Sequence, residues 1–361
     1  MRIAVVYLGR RGSGGLISLA LCKHLAHHAD VLAVYSDQVA NLSAWQQASF
    51  DQMTVATYRS FPQAVRAWLD QPQQRRIADQ IRAWQPDVLL FPMFYTLNPF
   101  LQRHLADIPS LVAVHDPIPH PGLVDRVYAW LENWSIQQAQ RCLVFSRALM
   151  PALQARGVSL EQIDVIPHGV LAYPPGTTDD SDQSLALLFF GRITAYKGLD
   201  ILIKAYARLC VRYDLRLRIV GAGDLRPYRA QLENLPNVEI VNRWVDDFEV
   251  HRFFRPNQIV VLPYTSASQS GVIAVAANFG LPVVTTRTGG LPEQIQDGVT
   301  GVLVEPGSVD HLSNAIEDLL NHPQKAVQLG QALFQDFAQN RNWGEISSQV
   351  VLACEKALSG Y

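Results

Sequence analysis

One stretch, residues 263–298, constrains the fold more than any other part of the chain. It reads PYTSASQSGVIAVAANFGLPVVTTRTGGLPEQIQDG. A strand end passes through a turn rich in Ser and Gln into an apolar helix. A proline-led strand then reaches a Gly-Gly turn and a further helix start. This order is typical of a doubly wound α/β domain, in which turns at the carboxyl edge of a parallel sheet bind ligands.

The two turns of this stretch predict complementary binding properties. Ser270, Gly271 and Val272 open the apolar helix, and free N–H groups together with the helix dipole favour an anion there. The second turn, residues 288–290, leads to Glu293 in the first turn of the next helix. A phosphate-binding edge next to a carboxylate edge suits a sugar joined to a diphosphate.

Length and composition exclude several classes of protein. A chain of 361 residues with 48% apolar and 17% charged residues predicts two globular domains with large cores. A net charge of −2 argues against a dedicated nucleic-acid binder. Four separated cysteines in apolar segments predict buried free thiols and no metal site: Cys22, Cys142, Cys210 and Cys354. Without a signal peptide or a run of eighteen apolar residues, a cytoplasmic location is expected.

The first half of the chain reads as one strand–helix series. A strand at 2–8 leads through a glycine loop containing Gly14 and Gly15 into a helix. The loop is not G-x-G-x-x-G and no acidic residue ends the next strand, 31–35, so dinucleotide binding is disfavoured. The two glycines either approach a ligand or serve close strand–helix packing. Further strands are predicted at 53–58, 87–93, 111–115, 142–145 and 164–167.

A polar, proline-rich loop follows the strand that ends near residue 114. It contains His115, Asp116 and His120. His115 is suited to bind an acceptor or relay a proton, because imidazole exchanges protons near neutral pH. A strand-end histidine bonded to backbone is the alternative. A metal site is disfavoured, because the prolines fix the directions of neighbours that would have to converge.

A second series begins after residues 171–184, which are rich in Pro, Gly, Asp and Ser and predict an interdomain linker. The strand 185–190 is followed by Arg192 and Lys197 in a turn bounded by glycines. Arg offers a planar fork to phosphate oxygens and Lys a point charge, so this turn predicts a phosphate site. Strands at 217–223 and 238–241 follow. Asn242, Arg243, Trp244 and Val245 end the latter strand and predict either a slot for a base or structural packing.

Taken together, these segments resemble the retaining glycosyltransferases of family GT4. The matching pieces are Gly14-Gly15, His115-Asp116, IPHGV at 166–170, FFGRITAYKGLDILIKA, LRIVGAGD, NRWVDD, the 263–298 stretch and DGVTGVLVEPGSVDHLSNAI. They follow the family's order over most of the chain. The resemblance implies the GT-B fold, two Rossmann-like doubly wound domains facing across a cleft. The expected boundaries are 1–170 for the acceptor-binding domain, 171–184 for the linker and 185–343 for the donor-binding domain, with a helix at about 344–361 packing back on the first.

The resemblance also implies roles for individual residues. Arg192 and Lys197 match the diphosphate-binding pair, and Glu293 matches the carboxylate that meets ribose or donor hydroxyls. His115 matches the histidine near sugar and acceptor, with Asp116 and His120 beside it. The remaining donor-binding matches are Gly14, Gly15, Asn242, Arg243, Trp244, Val245, Gln269, Ser270, Gly271 and Val272.

One departure separates this chain from many members of the family. No Glu lies between Pro263 and Pro292, where those members carry two glutamates eight residues apart. An SQSGVI turn stands there instead, with Gln269 near the first carboxylate position, which resembles one branch of the family. Gln269 is therefore expected to hydrogen-bond the donor sugar as a neutral group.

The implied reaction moves a hexose-type sugar from a nucleoside-diphosphate sugar, UDP- or GDP-linked, to a hydroxyl of a glycan, glycolipid or small molecule. It would proceed with retention and without a metal or other cofactor, because two cations and the helix N-terminus stabilise the leaving diphosphate. Peripheral contact with the inner membrane face is expected only for a lipid acceptor, and the oligomeric state is left open. Two alternatives remain at this point: a catalytically inactive nucleotide-sugar-binding partner, and a GT-B epimerase or hydrolase of nucleotide sugars.

Overall fold

The computed structural model of the protein describes residues 1–10, 12–115, 123–170 and 185–360. The chain forms two compact units, Met1–Pro167 with Trp343–Tyr361, and His168–Asn342. The predicted linker, 171–184, lies outside the described residues. Residues 168–170, expected in the first domain, belong to the second unit. The reason is that the Val170 N–H donates to the Arg341 carbonyl oxygen (3.3 Å) and the Val170 side chain packs on the second unit's core.

Within its described residues, the first unit contains a seven-stranded parallel sheet in the order β3-β2-β1-β4-β5-β6-β7. The strands are β1 (Arg2–Tyr7), β2 (Asp30–Ser36), β3 (Asp51–Val55), β4 (Val88–Phe91), β5 (Ser110–Val114), β6 (Arg141–Val144) and β7 (Ile163–Val165). The helices are α1 (Gly14–Leu25), α2 (Leu42–Gln46), α3 (Phe61–Leu69), α4 (Gln71–Ala83), α5 (Asn98–His104), α6 (Leu123–Gln138) and α7 (Met150–Gln154). The central strands are buried runs of Val, Leu, Ile and Phe, as expected of a sheet covered on both faces.

The second unit repeats this architecture. Its described residues form a six-stranded parallel sheet in the order β10-β9-β8-β11-β12-β13. The strands are β8 (Ala186–Phe190), β9 (Arg216–Val220), β10 (Val238–Val241), β11 (Gln258–Leu262), β12 (Val283–Thr286) and β13 (Val302–Val304). The helices are α8 (Leu199–Leu209), α9 (Arg229–Leu232), α10 (Gly271–Asn278), α11 (Val309–Asn321) and α12 (Pro323–Asn340). Both units therefore have the Rossmann-like doubly wound form predicted from the sequence.

The last helix, α13 (Trp343–Ser359), belongs to the first unit although it follows the second in sequence. It packs on α1, and its apolar face, including Ile346 and Val350, joins the core that contains Ile3 and Val5. An ion pair reinforces the contact, since Lys356 Nζ lies 2.8 Å from an Asp164 oxygen at β7. The helix thus returns the chain to the unit in which it began.

Core packing accounts for the cysteines. All four are free, three of them buried and Cys210 half-buried. Burial raises the pKa of Cys142 and of Cys354 to about 12. These thiols act as small apolar side chains.

Candidate functional site

The candidate site lies at the switch point of the second unit's sheet. Strands β8 and β11 are neighbours at the centre of the sheet, and strand order runs outward from them in both directions. The turn 191–198 follows β8 and the turn 263–270 follows β11. Because ligands of open α/β sheets bind beyond the carboxyl ends of such a strand pair, these two turns define the candidate site.

The two turns are held together along three consecutive residues of each. The Tyr196 carbonyl oxygen accepts a 2.7 Å hydrogen bond from the Thr265 N–H. On the other side, Gly198 has a φ of +66°, and a Cβ there would lie 2.0 Å from the Pro263 carbonyl oxygen. Only glycine fits this approach. Lys197 and the residue opposite it, Tyr264, are therefore fixed between two backbone contacts.

Lys197 and Arg192 bring two cations to this turn. Lys197 Nζ donates to the Tyr264 hydroxyl at 2.7 Å and lies 4.4 Å from the centre of that ring. A Cβ on Gly191 would lie 3.1 Å from the same Nζ, so the ammonium sits directly over this glycine. Arg192 is exposed. Neither cation forms an ion pair with any residue that the structure describes, which leaves their charge available to an anion.

The N-terminus of α10 lies next to the contact between Lys197 and Tyr264. Ser270 is the N-cap, and its hydroxyl lies 3.5 Å from the Tyr264 hydroxyl. The sequence predicts that the N–H groups of residues 270–272 bind an anion, but the Ser270 N–H donates to Gln294 Oε1 at 2.8 Å. This part of the prediction is wrong, because a buried side chain already satisfies the first amide. The N–H groups of Gly271 and Val272 have no acceptor among the described residues.

Gln294 closes a buried pair of hydrogen bonds with Ser270. Its Nε2 donates to the Ser270 carbonyl oxygen at 3.1 Å, while its Oε1 accepts from the Ser270 N–H. Both residues are only 4% exposed. The single amide thus joins the Gly-Gly turn segment to the helix N-terminus.

The Gly-Gly turn packs on the same segment. Gly289 has a φ of +52°, and a Cβ there would lie 1.5 Å from the Ala267 carbonyl oxygen. Glu293 follows in a 3₁₀ turn, Leu291–Glu293, where an α-helix start was expected. Its side chain is exposed and its carbonyl oxygen accepts from Arg341 Nη2 at 2.5 Å. The Glu293 side chain is therefore exposed, while a hydrogen bond from Arg341 holds the main chain that carries it.

Arg341 is an unusually buried arginine. Its side chain is 12% exposed and lies 4.7 Å from the Phe337 ring centre. Burial lowers its pKa, although Asp336 and Glu293 oppose that shift. A guanidinium nevertheless keeps its charge in proteins, so Arg341 adds positive potential next to the Glu293 carbonyl oxygen.

The predicted base-contacting segment, residues 242–245, includes two side chains that bond to other protein groups. Asn242 Oδ1 accepts from the Gly223 N–H and its Nδ2 donates to the Gly223 carbonyl oxygen, both at 3.1 Å. Arg243 donates two hydrogen bonds to Glu249, at 2.8 and 2.9 Å, and these hold the pKa of that carboxyl below its ordinary value. Trp244 is half exposed and Val245 is partly buried. Of the exposed side chains in residues 242–245, that of Trp244 has no hydrogen bond to another residue that the structure describes.

Gln269 immediately precedes the N-cap Ser270 and is half-buried. The structure thus places five of the predicted donor-binding residues around one edge of the second unit's sheet. These are Gln269, Ser270, Gly271, Val272 and Glu293.

The first unit positions the glycine loop by close packing. A Cβ on Gly14 would lie 2.9 Å from the Tyr7 hydroxyl, and one on Gly15 would lie 2.7 Å from Asn41 Oδ1. The packing alternative of the sequence analysis therefore accounts for both glycines. Their contact with a donor stays a prediction.

His115 stands at the carboxyl end of β5 and is half-buried, with its ring 5.5 Å from the Phe145 ring in an edge-to-face arrangement. Asp116 and His120, the other predicted acceptor-binding residues, lie outside the described residues. Nothing in the described part of the chain brings three or more His, Cys, Asp or Glu side chains together as a metal site. Nor does any helix described there have the length and apolar character needed to span a membrane.

Comparison with known proteins identifies the family. The family described as Glycosyltransferase Family 4 matches residues 17–171, and Glycosyl transferases group 1 matches residues 184–322. Together the matches span most of the chain. The chain is a GT4-like glycosyltransferase. The second match begins just before β8 and contains the whole switch-point site.

The curated relatives of this glycosyltransferase include D-inositol 3-phosphate glycosyltransferases and a glycogen synthase. The chain is 28% identical over 286 residues to the D-inositol 3-phosphate glycosyltransferase of Corynebacterium aurimucosum, covering 70% of this chain and 67% of that protein. It is 26% identical over 294 residues to the glycogen synthase of Mycobacterium tuberculosis, covering 76% and 70%. A second D-inositol 3-phosphate glycosyltransferase, from Paenarthrobacter aurescens, is 30% identical but matched over 54% of its length.

Solved structures establish the fold of the glycosyltransferase as GT-B. Anabaena HepE, solved in complex with UDP-glucose, has a TM-score of 0.72 at 18% identity over 99% of this chain and 100% of that one. Sucrose-phosphate synthase from Thermosynechococcus elongatus has a TM-score of 0.73 at 19% identity, with both chains fully covered.

Two residues of the switch-point site escaped the sequence analysis. Tyr264 stands beside a strand-end proline and reads as one more residue of a polar turn, so nothing in the sequence signals its contact with Lys197. Gln294 follows the recognised Glu293 directly, but its pairing with a backbone 24 residues earlier leaves no local pattern.

Proposed function

We propose that this glycosyltransferase moves a hexose from a nucleoside-diphosphate hexose, UDP- or GDP-linked, to a hydroxyl acceptor, with retention and without a bound metal. The observation that carries the proposal is the pair Arg192 and Lys197, whose charges have no carboxylate partner in the described chain, beside the open N-terminus of α10. UDP and UDP-glucose complexes of HepE, a neighbour in fold, support UDP as the first nucleotide to test.

In the proposed reaction the sugar C1–O bond to the diphosphate breaks while a C1–O bond to the acceptor forms on the same face. The acceptor proton passes to an oxygen of the departing phosphate. Arg192, Lys197 and the amides of Gly271 and Val272 stabilise the negative charge that develops on the diphosphate. His115 would orient the acceptor, and Glu293 would bind hydroxyls of the donor.

The acceptor class follows from the relatives only in outline. One acts on an inositol phosphate and another is a glycogen synthase, so we propose a polyol or glycan hydroxyl, free or lipid-linked. A cytoplasmic location, and contact with the inner membrane face for a lipid acceptor, remain part of this proposal.

The test is donor turnover across UDP-, GDP-, ADP- and dTDP-hexoses, with polyol and glycan acceptors, in EDTA and then in Mg²⁺. We expect one nucleotide to be used in EDTA, and Arg192→Ala or Lys197→Ala to lower turnover by about a hundredfold, as for loss of one oxyanion-stabilising group. Lys204→Ala, which removes an exposed cation paired with Asp200, is the matched control and should leave turnover unchanged.

Four outcomes would contradict the proposal. Near-normal turnover in both variants would remove the diphosphate assignment, and strict dependence on Mg²⁺ would remove metal independence. Binding without any product would favour the inactive partner, whereas sugar release or rearrangement without an acceptor would favour a hydrolase or epimerase.

A further inference from the structure

The Tyr264 hydroxyl is a buried polar group that the proposed reaction does not use. The side chain is 2% exposed, yet its hydroxyl lies between a site cation and the N-cap of the site helix. It is 2.7 Å from Lys197 Nζ and 3.5 Å from Ser270 Oγ. A buried hydroxyl placed between two ligand-binding elements calls for an explanation beyond core packing.

The backbone around this pair is fixed from both sides. The Thr265 N–H and hydroxyl both donate to the Tyr196 carbonyl oxygen, at 2.7 and 3.2 Å. The Thr286 hydroxyl donates to the Tyr264 carbonyl oxygen at 2.6 Å. The main chain that carries the Tyr264 side chain is therefore hydrogen-bonded to the sheet, which gives the hydroxyl a defined position.

Lys197, by contrast, has a flexible four-carbon side chain. Fixing such a side chain in one rotamer costs conformational entropy. A group that accepts its hydrogen bond before a ligand arrives removes part of that cost from binding. The Tyr264 oxygen does this here, and the ring beneath the ammonium adds a cation–π contact at 4.4 Å.

We propose that Tyr264 is a positioning residue that holds Lys197 over Gly191 in the orientation needed to meet the diphosphate. Tyr264 acts through Lys197 and contacts no reacting atom. The inference rests on the proposed function for its catalytic consequence, but the contact itself can be measured without any donor.

The first experiment measures that contact directly. Trace acetylation of the whole protein with acetic anhydride is followed by mass spectrometry, with exposed Lys204 as internal reference. We expect Tyr264→Phe, which keeps the ring, to raise the relative acetylation rate of Lys197 several-fold. An unchanged rate would show that the hydroxyl does not hold the ammonium, and would overturn the inference.

The second experiment tests the consequence, with UDP binding by calorimetry and UDP-glucose turnover as probes. Loss of one hydrogen bond to a charged group predicts about a tenfold fall in kcat/KM for Tyr264→Phe. The double variant Tyr264→Phe/Lys197→Ala should equal Lys197→Ala alone, because Tyr264 acts only through Lys197. Multiplied losses in the double variant, or a normal single variant, would overturn the inference.

Tyr206→Phe is the matched control. It removes another buried tyrosine hydroxyl of the same unit, one that donates to the Leu215 and Pro236 carbonyl oxygens. It should lower stability and leave UDP affinity unchanged. Failure of the proposed function would give a different result. In that case Lys197→Ala would leave UDP binding and turnover unchanged, whereas Tyr264→Phe would still raise the acetylation rate of Lys197.

Discussion

Replacing Gln294 by Met should destabilise the second unit although the substitution barely changes the volume of the side chain. The substitution keeps the length and volume of the side chain but removes both hydrogen bonds to Ser270. The Ser270 N–H is then left buried without an acceptor, which costs about 1–3 kcal/mol. The Ser270 carbonyl oxygen keeps the hydrogen bond from the Ile273 N–H and loses only its second bond, worth about 1 kcal/mol. After a small gain from the more apolar Met we expect a net loss of about 2–3 kcal/mol.

Calorimetry of the whole chain is the assay. For a unit of this size, about 1 kcal/mol shifts the midpoint by about 2–4 °C, so the second unit's transition should fall by about 4–12 °C. Hydrogen exchange at the Ser270 amide should accelerate at the same time, because this N–H loses its acceptor. Affinity for the donor should fall with it.

Gln296→Met is the control, since Gln296 is exposed and only two residues away. Exposed substitutions of this kind usually stay within about 0.5 kcal/mol. If Gln294→Met were equally mild, water would be replacing the lost bonds, and the view that one amide joins the two turns would be refuted.

Two further predictions concern backbone and charge. Gly289→Ala should cost at least about 2 kcal/mol more than Gly280→Ala in thermal unfolding: both have positive φ, but only Gly289 would place its Cβ against a carbonyl oxygen. Comparable costs would contradict the steric argument. Burial tends to raise the pKa of Asp164, but hydrogen bonds from Arg141 and Lys356 outweigh it and leave that pKa lowered. Stability from this group is therefore present above the unfolded pKa of about 4 and lost as pH falls through the lower folded value. Asp164→Asn should thus cost about 2 kcal/mol at pH 7 and converge with wild type in acid melts.

The elements of both sheets could be predicted from the sequence because their signals are local. Continuous apolar runs, such as that before Gly191, mark buried parallel strands, and the Gly- and Ser-rich segments after them mark turns at one edge. Parallel pairing then brings Arg192 and Ser270 to the same edge without any knowledge of side-chain contacts.

The details of the site could not be predicted, because they depend on how distant turns meet. Asn242 reads as a ligand-facing amide, but the chain folds Gly223 against it and both halves of the amide are used. The Ser270 amide reads as free until Gln294 occupies it. In both cases the competing partner lies roughly twenty residues away, beyond the reach of any periodicity or motif.

The turn without glutamates gains an electrostatic meaning from this geometry. In the stretch between Pro263 and Pro292 there is no Glu, and Gln269, directly before the N-cap of α10, is a neutral amide. Two opposite charges about 4 Å apart attract by about 4 kcal/mol near a protein surface, so a carboxylate that approached Lys197 or Arg192 this closely would compete with a diphosphate for them. A neutral amide offers hydrogen bonds to sugar hydroxyls without that competition. The hydroxyl of Tyr264 likewise holds Lys197 without neutralising it. Neither Gln269 nor Tyr264 therefore reduces the positive potential that the turn offers to an anion.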